Sequence, residues 1–197
     1  MANDLTAEQF AARLKSAQTL VGKLIRGRFI KRVFRQSSSA LLQDLSKLRN
    51  PDAIEMEIDG TPLKAVIRVG NLHGPMPIDR LFRAQRLTQE DFLEAEALKI
   101  WHTDEKSQVF TIEASEREPL LKKYRALIGL EGKKGVITAK VQVATNHGFL
   151  FEMEPGAIGF LRGNSGVTRN LKAGQMLGVR VKEIGADGLL VLAPKDA

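Results

Sequence analysis

The residues best suited to chemistry in this sequence are cations gathered near the amino terminus. Eight Lys and Arg residues and no acid lie between Arg13 and Arg35. They are Arg13, Lys15, Lys23, Arg26, Arg28, Lys31, Arg32 and Arg35. Such a cluster favours contact with the phosphates of a polyanion, because each bound cation releases condensed counterions. A solvated helix face, a membrane surface and an acidic groove of another protein are also consistent with it.

Other kinds of chemistry are poorly represented. The chain has no Cys and only three His, so thiolate chemistry is excluded and we expect neither a metal site nor a cofactor. Two pairs of closely spaced acids, Glu55 with Glu57 and Glu94 with Glu96, are typical of strand surfaces rather than of catalytic pairs. The sequence has no nucleophile elbow, zinc-protease helix, P-loop or dinucleotide-binding glycine motif. We therefore expect a protein that is not an enzyme.

Charge is divided unevenly along the 197 residues. Residues 1–49 contain 10 Lys and Arg against 3 acids, residues 50–120 contain 8 against 14, and residues 121–197 contain 12 against 6. Two basic segments therefore flank an acidic one, which favours a polyanionic partner and is also consistent with self-association. Apolar runs are too short to span a membrane and there is no signal-peptide pattern, so a cytoplasmic location is expected and membrane binding is not.

The basic cluster is expected on a helical arm that covers residues 1–49. Thr6 and Gln9 form a capping-box pattern, and the apolar residues that follow recur at helical spacing. Beyond Gly27 the apolar residues continue on the opposite side of the same helix, so the helix must break or bury both sides. Gly22, Gly27 and a later run of three serines are the places where a break costs least.

A small acidic α+β region is expected at residues 50–116. His73 and His102 lack a second ligand at metal spacing, and the single Trp101 is expected in the core. Glu116–Ile128 has acids before Pro119 and bases after it, which predicts a linking helix at residues 117–128. The elements predicted within the acidic region are strands at 53–58 and 63–69, a helix at 78–86, and a hairpin of 97–101 with 108–114.

The last domain is expected at residues 129–197. From Gly129 onward the hydrophobic period changes from helical to alternating. Five short strands follow, with the long connection between the third and the fourth, which matches a Greek-key barrel of the OB type. The fold class is therefore expected to be α+β, with a helical and α+β amino-terminal region followed by a five-stranded OB-fold β-barrel at the carboxyl end.

Residues 131–194 also carry the motifs of a known family. The matching pieces are Gly132-Lys133-Lys134-Gly135-Val136, Gly148-Phe149-Leu150-Phe151, Gly159-Phe160-Leu161 with Ser165, and Leu171-Lys172-Ala173-Gly174-Gln175 with Val179-Arg180-Val181. This stretch resembles the RNA-binding OB-fold repeat of the largest protein of the small ribosomal subunit, the S-one type. The order of elements along the whole chain is also similar to the first half of a bacterial transcription elongation factor. The resemblance implies a nucleic-acid face, on which His147 replaces the family's aromatic residue and Arg162 replaces its histidine.

We therefore expect a non-catalytic RNA-binding protein that regulates transcription or translation. A basic arm would supply affinity for phosphate, and the barrel would contact single-stranded RNA; the ribosome, RNA polymerase and a second copy of the chain are consistent partners. The expected nucleic-acid-binding residues are Lys140, His147, Phe149, Phe151, Phe160, Arg162, Arg169 and Arg180 in the barrel, and Arg26, Arg28, Lys31, Arg32 and Arg35 in the arm. The alternative is an assembly module whose barrel binds protein. The choice between RNA and single-stranded DNA, and any sequence preference, stay open.

Overall fold

The computed structural model describes residues 6–34, 50–74, 76–104, 109–130, 135–154, 157–163, 171–185 and 188–195. Within these ranges the chain forms ten strands, three α-helices and one 3-10 turn at Val69–Asn71. The helices are α1 (Ala7–Leu20), α2 (Pro77–Arg86) and α3 (Glu118–Arg125). The strands form two closed barrels, and the chain divides into two compact units.

The first barrel, barrel 1, is built from the amino-terminal half of the chain. Its strands are β1 (Leu24–Val33), β2 (Ala53–Ile58), β3 (Lys64–Arg68), β4 (Phe92–Asp104) and β5 (Val109–Ser115). Their order is β1-β2-β3-β5-β4, and pairing of β4 with β1 closes the barrel. Only β3 and β5 are parallel among these pairs. Closure gives each strand two partners, which removes exposed sheet edges.

Alternating aliphatic residues fill the interior of barrel 1. Ile54, Met56, Leu93 and Ile112 each have at most 1% of their surface exposed. Each of their strands directs every second residue inward, as the two-residue period of a strand requires. On β1 the inward position Gly27 lies close to β2, where an added Cβ would be 2.7 Å from the terminal methyl of Met56. Only glycine fits this approach without a shift.

The second barrel, barrel 2, has the same strand order as the first. Its strands are β6 (Val136–Thr145), β7 (Gly148–Glu154), β8 (Ala157–Arg162), β9 (Met176–Ile184) and β10 (Leu190–Pro194). The order is β6-β7-β8-β10-β9, with β6 paired to β9 and a parallel pair between β8 and β10. The prediction of a five-stranded barrel within residues 129–197 is confirmed.

The predicted fold class is wrong for the amino-terminal half, which is mostly β. Helix α1 begins after its Thr6 cap as predicted, but it ends at Leu20, and Gly22 follows with a φ of 79° that a helix does not allow. The next residues form β1, in which Ile25 and Phe29 point inward. The residues of the predicted arm from 35 to 49 lie outside the described ranges.

The acidic region at 50–116 does not form a sheet of its own. Its hairpins and helix are present as predicted, with Ala53 opposite Arg68 in the first hairpin and α2 at the expected place. However, both β2 and β4 pair with β1, so these strands complete barrel 1. The predicted linking helix is also present, as α3.

Candidate nucleic-acid interface

The basic residues of β1 alternate, and two of them project from the outer face of barrel 1. Arg26 and Arg28 are exposed, whereas their neighbours Ile25 and Gly27 are buried. On β4 the residue opposite Arg28 is Phe92, which is 43% exposed, and the residue opposite Arg26 is Glu94. Guanidinium Cζ atoms lie 4.8 Å (Arg26) and 5.2 Å (Arg28) from the centroid of the Phe92 ring. This spacing is within the range of cation–π attraction.

Two other predicted cations of this strand have partners within barrel 1. Arg32 donates from Nε to the carbonyl of Ala84 at 2.9 Å, and from Nη2 to the carbonyls of Gln85 at 2.5 Å and Leu87 at 2.8 Å. It therefore satisfies the free carbonyls at the carboxyl end of α2. Lys31 lies 3.5 Å from a carboxylate oxygen of Glu55. Arg35 lies outside the described residues.

The only tryptophan of the chain lies on the outer face of barrel 1. Trp101 on β4 is 38% exposed, so the prediction of a core position is wrong. Cζ of Arg68 is 4.7 Å from its ring centroid, and Nζ of Lys99 is 5.0 Å from it. An exposed indole ring with two cations is a surface on which a nucleic-acid base can stack while its phosphates are neutralised.

A carboxylate holds these two cations in place. Oε1 of Glu113 lies 2.9 Å from Nε of Arg68, and Oε2 lies 3.2 Å from Nζ of Lys99. The Glu113 side chain is 10% exposed, compared with 54% for Arg68 and 58% for Lys99. The acid therefore lies beneath the cations, which extend toward solvent. We call Arg68, Lys99, Trp101 and Glu113 the tryptophan cluster.

A second acid on the same face has the same arrangement. Glu55 on β2 lies 3.0 Å from Nζ of Lys64 and 3.5 Å from Nζ of Lys31. In the strand register Glu55 is opposite Val66, which is in turn opposite Glu113. The two acids therefore lie in one row across β2, β3 and β5. Glu55, predicted to be an ordinary strand acid, is a counterion of two lysines.

In barrel 2 two of the predicted aromatic residues point inward. Phe151 is completely buried in the core, and Phe149 is half-buried and packs against the same core. A base cannot stack on a ring that has no exposed surface. Phe151 is therefore a core residue of barrel 2.

Other predicted residues of barrel 2 lie on its outer face, along β6, β7 and β8. Phe160 is half-buried, and its Cζ would lie 2.9 Å from a Cβ added at Gly148, so its ring covers this glycine. Arg162 is opposite Gly148 and is exposed, as is His147 in the preceding turn. Lys140 on β6 is also exposed. The outer face of barrel 2 therefore presents one partly exposed aromatic ring and three polar side chains.

The remaining predicted cations of barrel 2 do not join this group. Arg180 on β9 donates hydrogen bonds to the carbonyls of Lys195 at 3.0 Å and Leu130 at 3.4 Å. These bonds connect β9 to the segment after β10 and to the segment before β6. Arg169 lies outside the described residues.

The sequence carried one signal that could have located Trp101. Leu93, Ala95 and Ala97 point inward, and continuing their alternation would place Trp101 inside. The register shifts between Ala97 and Lys99, so the residues after this bulge change faces. The same alternation would also place Lys99 inside the barrel. Because a lysine is unfavourable there, Lys99 indicates from the sequence that the strand changes faces before Trp101.

The described residues contain neither a metal-binding cluster nor a membrane-spanning helix. In those ranges no three His, Cys, Asp or Glu side chains come together as a metal-binding group. Among the same residues, no helix has the length and hydropathy that a membrane span requires.

Comparison with known proteins gives little further information. No protein-family model and no curated protein matches the chain. Among solved structures, it is similar to a multidomain protein with nucleic acid binding domains from Streptococcus pneumoniae, with 14% identity and a TM-score of 0.25. The match covers 87% of this chain and 50% of the other, so this chain spans about half the length of that protein. At this TM-score the likeness carries no argument about function.

Proposed function

We propose that this chain binds single-stranded nucleic acid, and RNA in particular, on the outer faces of two OB-type barrels without catalysing a reaction. The observation that carries the proposal is the position of Trp101, exposed on barrel 1 with Arg68 and Lys99 within 5.0 Å of its ring centroid. Stacking on aromatic rings combined with a cationic track for phosphates is how proteins bind single strands with little sequence preference.

The place of this cluster within the barrel supports the same function. OB-type barrels bind oligonucleotides on the second and third strands and on the loops after the first and fourth strands. Arg68 ends the third strand of barrel 1, and Trp101 lies near the end of the fourth. The tryptophan cluster therefore borders the region that this architecture uses for ligands.

Barrel 2 and the surface of β1 each offer further contacts to nucleic acid. On barrel 2, Phe160 would contact nucleic acid together with Arg162, His147 and Lys140, which are nearby in the strand register. Arg26 and Arg28 beside Phe92 would contribute cations and a further ring. The choice of RNA rests on the family resemblance of residues 131–194, and a role in regulating transcription or translation rests on the same resemblance.

A fluorescence titration tests the proposal directly. Because Trp101 is the only tryptophan, its emission reports on the tryptophan cluster alone. Titration with an unstructured RNA 12-mer should quench this emission, and the affinity should fall with a linear log–log dependence on salt. With a labelled 12-mer, Trp101→Ala should weaken binding by about 5- to 150-fold, the equivalent of ~1–3 kcal/mol for one stacked base.

A matched control distinguishes stacking from a general loss of apolar surface. Ile78→Ala removes an apolar side chain that is 50% exposed on α2, outside the surfaces assigned to nucleic acid. This variant should bind the 12-mer as the wild type does. Absence of quenching at low salt, or equal losses in the two variants, would refute the proposal.

A second candidate function is favoured by the outer face of barrel 2. Val143, Leu150, Ile158 and Phe160 make this face largely apolar, and Val143 is 48% exposed. Such a patch is typical of a protein-docking surface. If Phe160→Ala leaves RNA affinity unchanged while Trp101→Ala reduces it, nucleic-acid binding is assigned to barrel 1, and the apolar face of barrel 2 becomes the surface to test with a protein partner.

A further inference from the structure

The cations on the outer face of barrel 1 are already neutralised in part by two acids. Glu113 is shared by Arg68 and Lys99, and Glu55 is shared by Lys31 and Lys64. The side chains of the two acids are 10% and 15% exposed, whereas those of the four cations are 54–61% exposed. A phosphate that approaches this face therefore reaches the cations first and competes with the acids for them.

We infer that Glu113 and Glu55 weaken the binding of every polyanion to this face, so that tight binding requires a ligand that also stacks an unpaired base on Trp101. The inference rests on the proposed function. Moving a cation away from its carboxylate leaves a largely buried charge with fewer partners, which is costly. Phosphate contact alone offsets this cost poorly, so an incompatible ligand is rejected by a repulsive element built into the site.

Stacking of an unpaired base on Trp101 can offset the cost of moving a cation away from its acid. Arg68 and Lys99, the cations held by Glu113, are also the groups closest to the ring of Trp101. Movement of either cation toward a phosphate uncovers part of the ring, on which an unpaired base can stack. A duplex keeps its bases inside and polyphosphate has none, so neither ligand gains this contribution.

The second acid, Glu55, weakens phosphate binding in the same way at a neighbouring position of the face. Glu55 lies in one row with Val66 and Glu113 across neighbouring strands. Its two lysines would meet the phosphates beside the stacked base. We therefore expect the contributions of the two acids to be separable, since each acid has its own pair of cations.

The test compares three polyanions, of which only the first offers unpaired bases. The full chain is titrated with an unstructured RNA 12-mer, a 12-base-pair RNA duplex and inorganic polyphosphate. Glu113→Gln and Glu55→Gln should each raise the affinity for polyphosphate and duplex by about five- to tenfold, the effect of one nearby charge in a solvated site. The affinity for the single strand should rise by a similar factor, because its phosphates compete with the same acids, whereas Trp101→Ala should lower the affinity for the single strand alone.

Glu8→Gln is the matched control, because it removes the same charge from an exposed position on α1, outside the tryptophan cluster, the Glu55 group and the β1 surface. It should leave the three affinities unchanged. An equal rise in Glu8→Gln and Glu113→Gln, or no rise in either, would overturn the inference. If Glu113→Gln does not fold, as judged by circular dichroism, Glu55→Gln decides the outcome because it has separate cations.

The failure of the inference and the failure of the proposed function give different results. Unquenched Trp101 emission in the wild type at low salt would refute the proposed function itself. Quenched emission, with the same three affinities in the wild type and both glutamate variants, would refute only the role of the two acids.

Discussion

The hydroxyl of Tyr124 donates a 2.8 Å hydrogen bond to the carboxylate of Glu154, which joins helix α3 to strand β7 of barrel 2. Tyr124 is only 3% exposed and packs in the core of this barrel. Lys123 approaches the same carboxylate at 2.8 Å. The linking helix is therefore attached to barrel 2 through a buried ring and a shared acid.

This arrangement makes stability depend on pH in a defined direction. Hydrogen bonding from Lys123, followed by that from Tyr124, holds the pKa of Glu154 below its ordinary value of 4.5. A carboxyl group whose pKa falls on folding stabilises the fold above its unfolded pKa, and this contribution is lost as pH falls through the folded pKa. Glu154→Gln should therefore lower the free energy of unfolding at pH 7 and much less at about pH 3. Urea unfolding followed by circular dichroism measures both values, and equal losses at the two pH values would contradict the prediction.

The two faces of barrel 2 should respond differently to loss of an aromatic ring. Phe151→Ala removes a fully buried side chain and should cost about 3–5 kcal/mol of stability. Phe160→Ala removes a half-buried ring on the outer face and should cost clearly less. Denaturant unfolding of both variants tests this order. A larger loss for Phe160→Ala would show that its ring has the more important packing role.

Gly27 should tolerate no side chain. An added Cβ would lie 2.7 Å from Cε of Met56 and 2.9 Å from the carbonyl carbon of Glu57, which is backbone and cannot rotate away. Gly27→Ala should therefore destabilise barrel 1 by about 1–3 kcal/mol. Gly70→Ala is the control, because nothing lies within 4 Å of its added Cβ. Thermal unfolding monitored by Trp101 emission compares the two, and similar midpoints would contradict the prediction.

Neighbouring arginines of β1 should separate stability from binding. Arg32→Met removes the three hydrogen bonds that satisfy the carbonyls at the end of α2 and should cost about 1–3 kcal/mol. Arg28→Met removes an exposed cation and should change stability by less than about 0.5 kcal/mol. Binding of the RNA 12-mer should show the opposite order, with the shallower salt dependence in Arg28→Met. Equal losses of stability in the two variants would contradict this assignment.

Local sequence signals determined several elements without the tertiary structure. Thr6 and Gln9 form the reciprocal hydrogen bonds of a capping box at the start of α1, because both partners lie within one turn. The turn after Ile58 contains Gly60 at a φ of 70° and joins β2 to β3 as the Asp-Gly pair predicts. The alternating pattern after Gly129 likewise predicted the strands of barrel 2.

The tertiary structure decided the fold class and the candidate site. Ile25 and Phe29 fit a helical face as well as a strand face, and pairing of β1 with both β2 and β4 is what makes it a strand. A bulge after Ala97 then turns Trp101 outward, toward Arg68 on a strand more than 30 residues earlier. The sequence alone determined short-range hydrogen bonds and periodicity, because these depend on residues a few positions apart. Strand partners and bulges depend on contacts between distant segments, so they were decided only by closure of the barrel.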